Sequence, residues 1–234
     1  MSSASVAVVD DDKIMCRYLA DVRCERFAID ATFPNVESLL ADGSHFDVVV
    51  LDMWIRPLIN GKRPLRGVKA IRMVRKAATP EAPATKVVVH TAEDRPFVLA
   101  GLMLGGADAL VSKAEEPEDL YATIDAVLDG GTRLPSALLG LIEVAHRNGK
   151  LPFLSTRHLG VLQLRARGMR SASIASELLL GTKTVDRYVA EIRDEFVELL
   201  SKVDVAGLEA DDSYSIAQIA RALGHGSGDL LDGF

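Results

Sequence analysis

Polar side chains directly follow short apolar runs at four points in the first half of the 234-residue chain. Asp10 and Asp11 follow Val6–Val9, Asp52 follows Phe46–Leu51, Thr91 follows Lys86–His90, and Lys113 follows Asp108–Ser112. Three carboxylates gathered with an ammonium and a hydroxyl are costly to bury unless a divalent cation lies among them, and hard oxygen ligands suit Mg²⁺. The metal and the lysine could then neutralise phosphoryl oxygens, while Asp52 remains free to act as a nucleophile.

Such chemistry needs a scaffold that brings strand ends together, and the hydrophobic pattern of residues 1–130 predicts one. Continuous apolar strands alternate with amphipathic helices, which is typical of a parallel sheet covered on both faces. The predicted strands are Val6–Val9, Ala28–Phe33, Phe46–Leu51, Lys86–His90 and Asp108–Ser112, and a covering helix is predicted at Glu118–Leu128. Because ligands of doubly wound sheets bind at the carboxyl edge, we expect the polar side chains to converge there.

The order and spacing of these motifs resemble the receiver domain of two-component response regulators over residues 5–130. The matching segments are Val9-Asp10-Asp11, Leu51-Asp52 with Pro57 five residues on, His90-Thr91-Ala92 and Gly105–Lys113. The resemblance implies an α/β, (βα)5 doubly wound domain in which Asp52 accepts a phosphoryl group from a histidine kinase. It further implies that Asp10, Asp11, Asp52 and the backbone carbonyl of Trp54 hold Mg²⁺, and that Thr91 and Lys113 sense the phosphoryl group.

The chain departs from the usual receiver pattern in two places. Leu110 stands three residues before Lys113, where the family often has an aromatic switch residue. The turn after the phosphoacceptor is also lengthened, through Pro57–Gly67, and this segment adds cations beside the predicted pocket. Arg56, which directly precedes Pro57, is counted with this loop, so that its cations are Arg56, Lys62, Arg63 and Arg66. Either the loop is a solvated insertion, or its cations tune the acceptor chemistry or contact a partner.

Beyond residue 130 the hydrophobic period becomes helical only. Gly130, Gly131 and Pro135 mark a boundary, and residues 131–153 are predicted to form a linker with a helix at Leu134–His146. Residues 154–234 are predicted to form a small all-α domain. Its helices run from Ser155 or Thr156 through Arg167, over Ser171–Leu180, from Thr182 through about Val203, and over Ser215–Leu223, with an acidic insert at Glu209–Asp212.

This second domain resembles the LuxR-type helix-turn-helix of the NarL/FixJ family. The matching residues are Leu154–Arg157, Val161-Leu162, Gly168–Ser171, Ile174-Ala175, Leu178, Thr184-Val185 and Ile192. A small core would hold the second helix across the third at the angle that a recognition helix needs. The residues predicted to form it are Leu162, Ile174, Ala175, Leu178, Val185, Val189 and Ile192. Candidate DNA contacts are Lys183, Thr184 and Arg187 at the start of the third helix, together with Arg170.

The charge pattern argues both for and against DNA binding. The net charge of −6 counts against a nucleic-acid partner, but residues 154–181 carry four arginines against Glu177. The third helix itself carries acids that weaken attraction to phosphates: Asp186, Asp194, Glu195 and Glu198. The leading hypothesis is therefore a phosphorylation-controlled transcription regulator, with binding rather than enzymatic turnover as its output. The alternative is a receiver-based switch whose degenerate helix-turn-helix docks a protein partner. A third interpretation, an enzyme such as a haloacid-dehalogenase-like phosphatase, would leave the helical domain without a role.

Composition indicates where in the cell the protein is expected to act. Hydrophobic residues make up 48% and charged residues 26% of the chain, and no stretch approaches the roughly 20 apolar residues of a membrane helix. The first residues carry no export-like pattern. Cys16 and Cys24 are expected on one helical stretch, too far apart to form a disulfide. We expect a cytoplasmic protein that contacts no membrane and acts as a homodimer.

Overall fold

The computed structural model describes residues 3–20, 22–56, 64–77, 84–135, 138, 141, 154–203, 205, 208–211 and 213–231. The chain divides into two compact units. The first contains Met1–Asp94 and Leu102–Pro135, and the second contains Arg95–Gly101 and Ser136–Phe234. Most of the predicted linker helix at Leu134–His146, and the loop residues 57–63, lie outside the described residues.

The first unit contains a five-stranded parallel sheet in the order β2-β1-β3-β4-β5. Its strands are β1 Ala4–Val9, β2 Phe27–Phe33, β3 Val48–Leu51, β4 Lys86–Thr91 and β5 Ala109–Ser112. All four residues of β3 and the last five of β4 are buried, as continuous apolar strands between two helical layers require. The predicted α/β class of this part of the chain is confirmed.

Helices cover the sheet and complete its core. Those of the first unit are α1 Lys13–Ala20, α2 Val36–Asp42, α3 Gly67–Ala77 and α5 Pro117–Leu128, whereas α4 Pro96–Leu104 is divided, because its residues up to Gly101 belong to the second unit. On one face, Leu120, Ile124 and Val127 of α5 pack against valines of the strands. This i, i+4, i+7 spacing is the apolar stripe that predicted the helix.

The expectation that both cysteines share one helix is wrong. The α1 helix ends at Ala20, and the chain then turns so that Arg23 pairs with Ala28 in an isolated antiparallel bridge. Cys24 therefore lies in the connection to β2, and both Cys16 and Cys24 are free thiols.

The predicted helices of the second unit are present with shifted ends. They are α6 Thr156–Ala166, α7 Ser171–Glu177, α8 Thr182–Lys202 and α9 Ile216–Ala222. Ser155 and Ser215 cap α6 and α9, because each hydroxyl accepts the backbone N–H three residues on. None of the helices in the described ranges combines the length and the apolar character needed to span a bilayer.

The α7 helix ends earlier than its predicted end at Leu180. Leu179 adopts a left-handed conformation with φ 54°, which an α-helix cannot continue through. The N–H of Leu180 donates to the carbonyl of Ala175, which closes the helix end. A glycine at this position would have predicted such a turn from the sequence, whereas leucine rarely adopts the left-handed conformation.

The predicted core of the helical unit is largely confirmed. Leu162, Ile174, Ala175, Val185 and Ile192 are buried, while Leu178 and Val189 are half-buried. Additional buried residues along α8 extend this core, namely Phe196, Leu199 and Leu200. The core fixes α7 against the first turns of α8, which is the relationship that a helix-turn-helix requires.

Candidate functional site

Three carboxylates meet at the carboxyl edge of the sheet. Asp10 and Asp11 follow β1, Asp52 follows β3, and each residue offers an oxygen within 4.8 Å of the others. Val9 and Leu51 are paired in register, so the residues that follow them emerge side by side. The N–H of Asp52 donates to the carbonyl of Val9 at 2.9 Å and fixes this arrangement. Asp10 and Asp52 are only 2% and 5% exposed.

Lys113, which follows β5, supplies a cation to two of these carboxylates. Its Nζ lies 2.7 Å from Oδ2 of Asp10 and 3.0 Å from Oδ2 of Asp52. Burial opposes the charge on Lys113, but the two carboxylates outweigh it, so that the pKa of Lys113 lies above its usual value. Burial also raises the pKa of Asp52, which Lys113 and the N–H of Trp54 offset only in part. The ammonium therefore compensates buried negative charge, which is costly without a partner.

Thr91 and His90 lie at the end of β4. The hydroxyl of Thr91 accepts the N–H of Glu93 at 3.2 Å, and its carbonyl accepts the N–H of Lys113 at 2.9 Å. Burial lowers the pKa of His90 to about 4, and the charge of Lys113 acts in the same direction. His90 is therefore neutral near pH 7. Leu110, the predicted switch position, is buried on β5 opposite Val89.

The donor set suits a hard divalent cation. Three carboxylates with oxygens this close together present the ligands that Mg²⁺ prefers. The neighbouring Asp12 has a different role, because it accepts backbone N–H groups of Ile14 and Met15 at the start of α1. Those hydrogen bonds lower the pKa of Asp12.

Two cations of the lengthened loop fall within the described residues. Arg56 donates from Nε to Oδ2 of Asp11 at 2.8 Å. Arg66 places its guanidinium 5.5 Å from the centre of the Trp54 ring. Lys62 and Arg63 lie outside the described residues.

The candidate DNA contacts of the second unit lie around the start of α8. Lys183 and Arg187 are exposed on its first two turns, Thr184 is half-buried, and Arg170 is exposed just before α7. Arg187 also lies 3.5 Å from the carboxylate of Glu191 and 5.4 Å from the centre of the Tyr188 ring. Its charge is therefore partly compensated within the helix, whereas Lys183 projects from the first turn.

Acidic side chains of α8 have partners within the same unit. Asp186 accepts the hydroxyl of Ser171 at 2.6 Å, and Ser171 in turn accepts Arg165. Glu198 pairs with Lys202 at 2.6 Å. The carboxylates of Glu191 and Glu195 lie 2.9 Å and 4.0 Å from the two ring nitrogens of His158 on α6. Two of the acids that counted against DNA binding, Asp186 and Glu195, therefore contact side chains on other helices of this unit.

Comparison with known proteins identifies the family. Residues 152–196 match the family described as bacterial regulatory proteins, luxR family. A putative transcriptional regulator of Pseudomonas aeruginosa is 31% identical over 149 residues, which cover 62% of this chain and 67% of that protein. The chain belongs to the NarL/FixJ family of response regulators. A nitrate/nitrite response regulator homologue of Haemophilus influenzae is 26% identical over 62% of this chain and 65% of its own length. The matched region thus spans about two thirds of each relative.

A solved response regulator has the same fold. RcsB from Salmonella enterica serovar Typhimurium, bound to promoter rprA in the presence of phosphomimetic BeF3⁻, matches with a TM-score of 0.58. The match covers 94% of this chain and 98% of RcsB at 20% identity. The two-part fold expected of the NarL/FixJ family, an α/β receiver followed by a helix-turn-helix, is therefore confirmed.

Most of the predicted receiver residues lie together in this NarL/FixJ chain, and some contacts had no sequence signal. Asp10, Asp11, Asp52 and Lys113 share one pocket, and the backbone of Trp54 contacts Asp52. Their roles in phosphoryl transfer stay a prediction. The contacts that sequence reasoning missed are Arg56 with Asp11, Glu93 with Thr91, and Asp186 with Ser171. Each joins residues whose relation depends on backbone geometry rather than on a motif.

Proposed function

We propose that this protein is a phosphorylation-controlled transcription regulator in which Asp52 accepts a phosphoryl group from a histidine kinase. The observation that carries the proposal is the pairing of a buried aspartate pocket with Lys113 in one unit, joined to a luxR-family helix-turn-helix in the same chain. A pocket of this kind can store a phosphoryl group, and a helix-turn-helix can bind DNA. The output is binding and not substrate turnover.

The chemistry of the pocket supports nucleophilic attack by Asp52. One oxygen of its carboxylate accepts the N–H of Trp54 at 3.2 Å and the other lies 3.0 Å from Lys113. An oxygen of Asp52 forms the new bond to phosphorus as the bond to the imidazole nitrogen of the kinase breaks, and that nitrogen retains the electron pair. Lys113 neutralises phosphoryl charge, and Thr91 donates a hydrogen bond to a phosphoryl oxygen.

Asp10, Asp11 and Asp52, with the backbone carbonyl of Trp54, are the groups that would hold Mg²⁺. The ion supplies further neutralisation of phosphoryl oxygens when it is bound. Asp10 contributes in a second way, because it holds the ammonium of Lys113 at 2.7 Å and so keeps it beside the acceptor.

Phosphorylation changes the partners of Lys113 and Thr91. The new phosphoryl oxygens compete with the carboxylates for the ammonium, and the N–H of Lys113 joins this change to the carbonyl of Thr91 at the end of β4. Leu110 is aliphatic and buried, so that the switch proceeds without an aromatic rotamer at this position. The receiver then favours pairing of two chains and places two helix-turn-helix domains on DNA half-sites.

Lys183, Thr184 and Arg187 on α8, together with Arg170, are the proposed DNA contacts. Exposed cations at the start of α8 can neutralise phosphates of the DNA backbone. The first turns of a recognition helix reach base edges in the major groove. The internal partners of Asp186 and Glu198 support the proposal, because a paired carboxylate repels DNA less than an isolated one.

Genome-wide immunoprecipitation of the wild-type protein and of Asp52→Asn tests both halves of the proposal. We expect sharp DNA peaks that weaken with Asp52→Asn and disappear when Lys183→Ala and Arg187→Ala are combined. Asp42→Asn, which changes an exposed carboxylate at the end of α2, is the matched control and leaves the peaks unchanged. Absence of peaks, with co-purification of a protein partner, would contradict transcriptional regulation.

A protein-docking switch is the second candidate, and Leu179 is the observation that favours it. This apolar side chain is 92% exposed in the turn between α7 and α8, beside the proposed DNA face. Protein docking through this turn predicts binding that depends on Leu179 and not on salt. DNA binding predicts a steep loss of affinity as salt rises.

A further inference from the structure

The three carboxylates of the receiver pocket are paired with two different cations. Lys113 contacts Asp10 and Asp52, whereas Asp11 pairs with Arg56 at 2.8 Å. Arg56 enters the pocket from the lengthened loop that follows β3. In this structure its guanidinium engages an oxygen of the carboxylate cluster that would hold Mg²⁺.

We propose that Arg56 is a built-in competitor of the metal, which lowers the affinity of the pocket for Mg²⁺ by pairing with Asp11. The inference rests on the proposed function, because it requires that the aspartate cluster binds this ion. The metal-free pocket is stabilised by the Arg56–Asp11 pair. A divalent cation that takes Oδ2 of Asp11 displaces Arg56, and its affinity falls by the corresponding factor.

The exposure of the two side chains indicates which partner moves. The side chain of Asp11 is 20% exposed, whereas that of Arg56 is 79% exposed. Asp11 is held at the pocket by its position after β1, while Arg56 can leave into water at little cost. The pair is therefore a reversible contact whose strength is that of a surface ion pair, aided by a charge-assisted hydrogen bond.

The second described cation of the loop, Arg66, has a different position. Its guanidinium lies over the ring of Trp54. Of the two loop cations within the described residues, Arg56 forms the ion pair with Asp11 of the carboxylate cluster, and the proposal therefore concerns Arg56. Trp54 is the only tryptophan of the chain, and its backbone N–H donates to Asp52. Its fluorescence can therefore report on the pocket.

Titration of the full-length protein with Mg²⁺ alone tests the inference. Binding is followed by Trp54 fluorescence and, independently, by calorimetry. We expect Arg56→Ala and Arg56→Gln to bind Mg²⁺ about three- to tenfold more tightly than wild type, in line with loss of one exposed ion pair and its hydrogen bond. Arg56→Lys keeps the charge and is expected to stay close to wild type. Lys76→Ala removes an exposed charge in the last turn of α3 and is the matched control.

Each outcome decides the inference. If wild type binds Mg²⁺ and Arg56→Ala binds it equally or more weakly, Arg56 is not a competitor, while the proposed phosphoacceptor function stands. If neither wild type nor any variant binds Mg²⁺ by either readout, both the inference and the proposed metal site are overturned. Because the pair is a surface contact, Arg56→Ala without Mg²⁺ is expected to unfold in one cooperative transition at a denaturant concentration only slightly below that of wild type, which separates a binding effect from a folding defect.

Discussion

The hydroxyl of Ser171 donates to the carboxylate of Asp186 at 2.6 Å, and this bond joins the start of α7 to the second turn of α8. Arg165 of α6 donates to the same hydroxyl and lies 4.0 Å from the carboxylate. Three helices of the second unit thus meet at one polar contact. Asp186, which the charge pattern marked as unfavourable for DNA, serves as a structural brace.

The contact of Asp186 with Ser171 predicts that the negative charge of Asp186 affects DNA affinity, whereas its hydrogen bond affects the stability of the helical unit. Asp186→Asn keeps an acceptor for Ser171 and removes a negative charge, so we expect DNA affinity to rise about two- to tenfold. Asp186→Ala removes the acceptor too, and should lower the free energy of unfolding by about 1 kcal/mol. Fluorescence anisotropy on enriched DNA and urea unfolding measure the two effects. Equal behaviour of the two variants would show that the hydrogen bond has no separate role.

Lys183 is expected to contribute more to DNA binding than Arg187, because Arg187 is already paired with Glu191. Lys183→Ala should reduce the slope of log affinity against log salt by about one, the value for one phosphate contact. Arg187→Ala should reduce it less. Lys202→Ala, at the far end of α8 and paired with Glu198, is the control and should leave the slope unchanged. A slope that none of the three changes would place the DNA on another surface.

Lys113→Met should destabilise the metal-free receiver strongly. The substitution leaves Asp10 and Asp52 buried without the cation that contacts both, which costs about 3–5 kcal/mol in comparable buried pairs. Excess Mg²⁺ should restore part of the loss, because it binds the folded state only. Urea unfolding with chelator and with Mg²⁺ measures both effects.

The control for that experiment is Lys86→Met. Lys86 also pairs with an aspartate, Asp108, at 3.4 Å, but its side chain is substantially exposed. Exposed pairs contribute about 0–1 kcal/mol, so the control should cost little and show no Mg²⁺ dependence. Similar losses in Lys113→Met and Lys86→Met would contradict a special role for the pocket.

His90 should make the stability of the receiver pH-dependent. Its pKa is lowered from 6.5 to about 4, chiefly by burial, so the unfolded state binds more protons between these values. The contribution of neutral His90 is therefore complete above pH 6.5 and is lost as the pH falls towards 4, by about 3 kcal/mol at most. Urea unfolding of wild type and His90→Gln across this range isolates the effect. A constant difference between the two proteins would rule it out.

Much of the receiver could be predicted from sequence because its chemistry is tied to strand ends. Each apolar run fixed the position of the polar residue that follows it, and parallel strands align these ends at one edge. The pairing of Asp11 with Arg56 could not be predicted in the same way. The loop cations were recognised as a group, but the choice of Arg56 depends on the path of the chain after β3.

In the helical unit, too, apolar spacing predicted the helices, whereas individual side-chain contacts could not be predicted. The apolar spacing predicted four helices and most of the buried core, since that spacing is what packing requires. The early end of α7 was missed because a leucine, Leu179, occupies the left-handed position. The partners of Asp186 were missed because side-chain pairing between two helices depends on the angle and position at which the helices cross. Residue types alone made this acid look like an obstacle to DNA binding.

The strand order of the receiver separates two tasks in space. Asp52 follows β3, the middle strand, with β1 and the carboxylates of Asp10 and Asp11 on one side and β4 and β5, which carry Thr91 and Lys113, on the other. If Asp52 is the phosphoacceptor, as proposed, its metal ligands lie on one flank and its phosphoryl-sensing residues on the other. A donor protein that approached over the flank of β1 would then leave β4 and β5 uncovered, so that receipt of the signal and its onward transmission would use different surfaces.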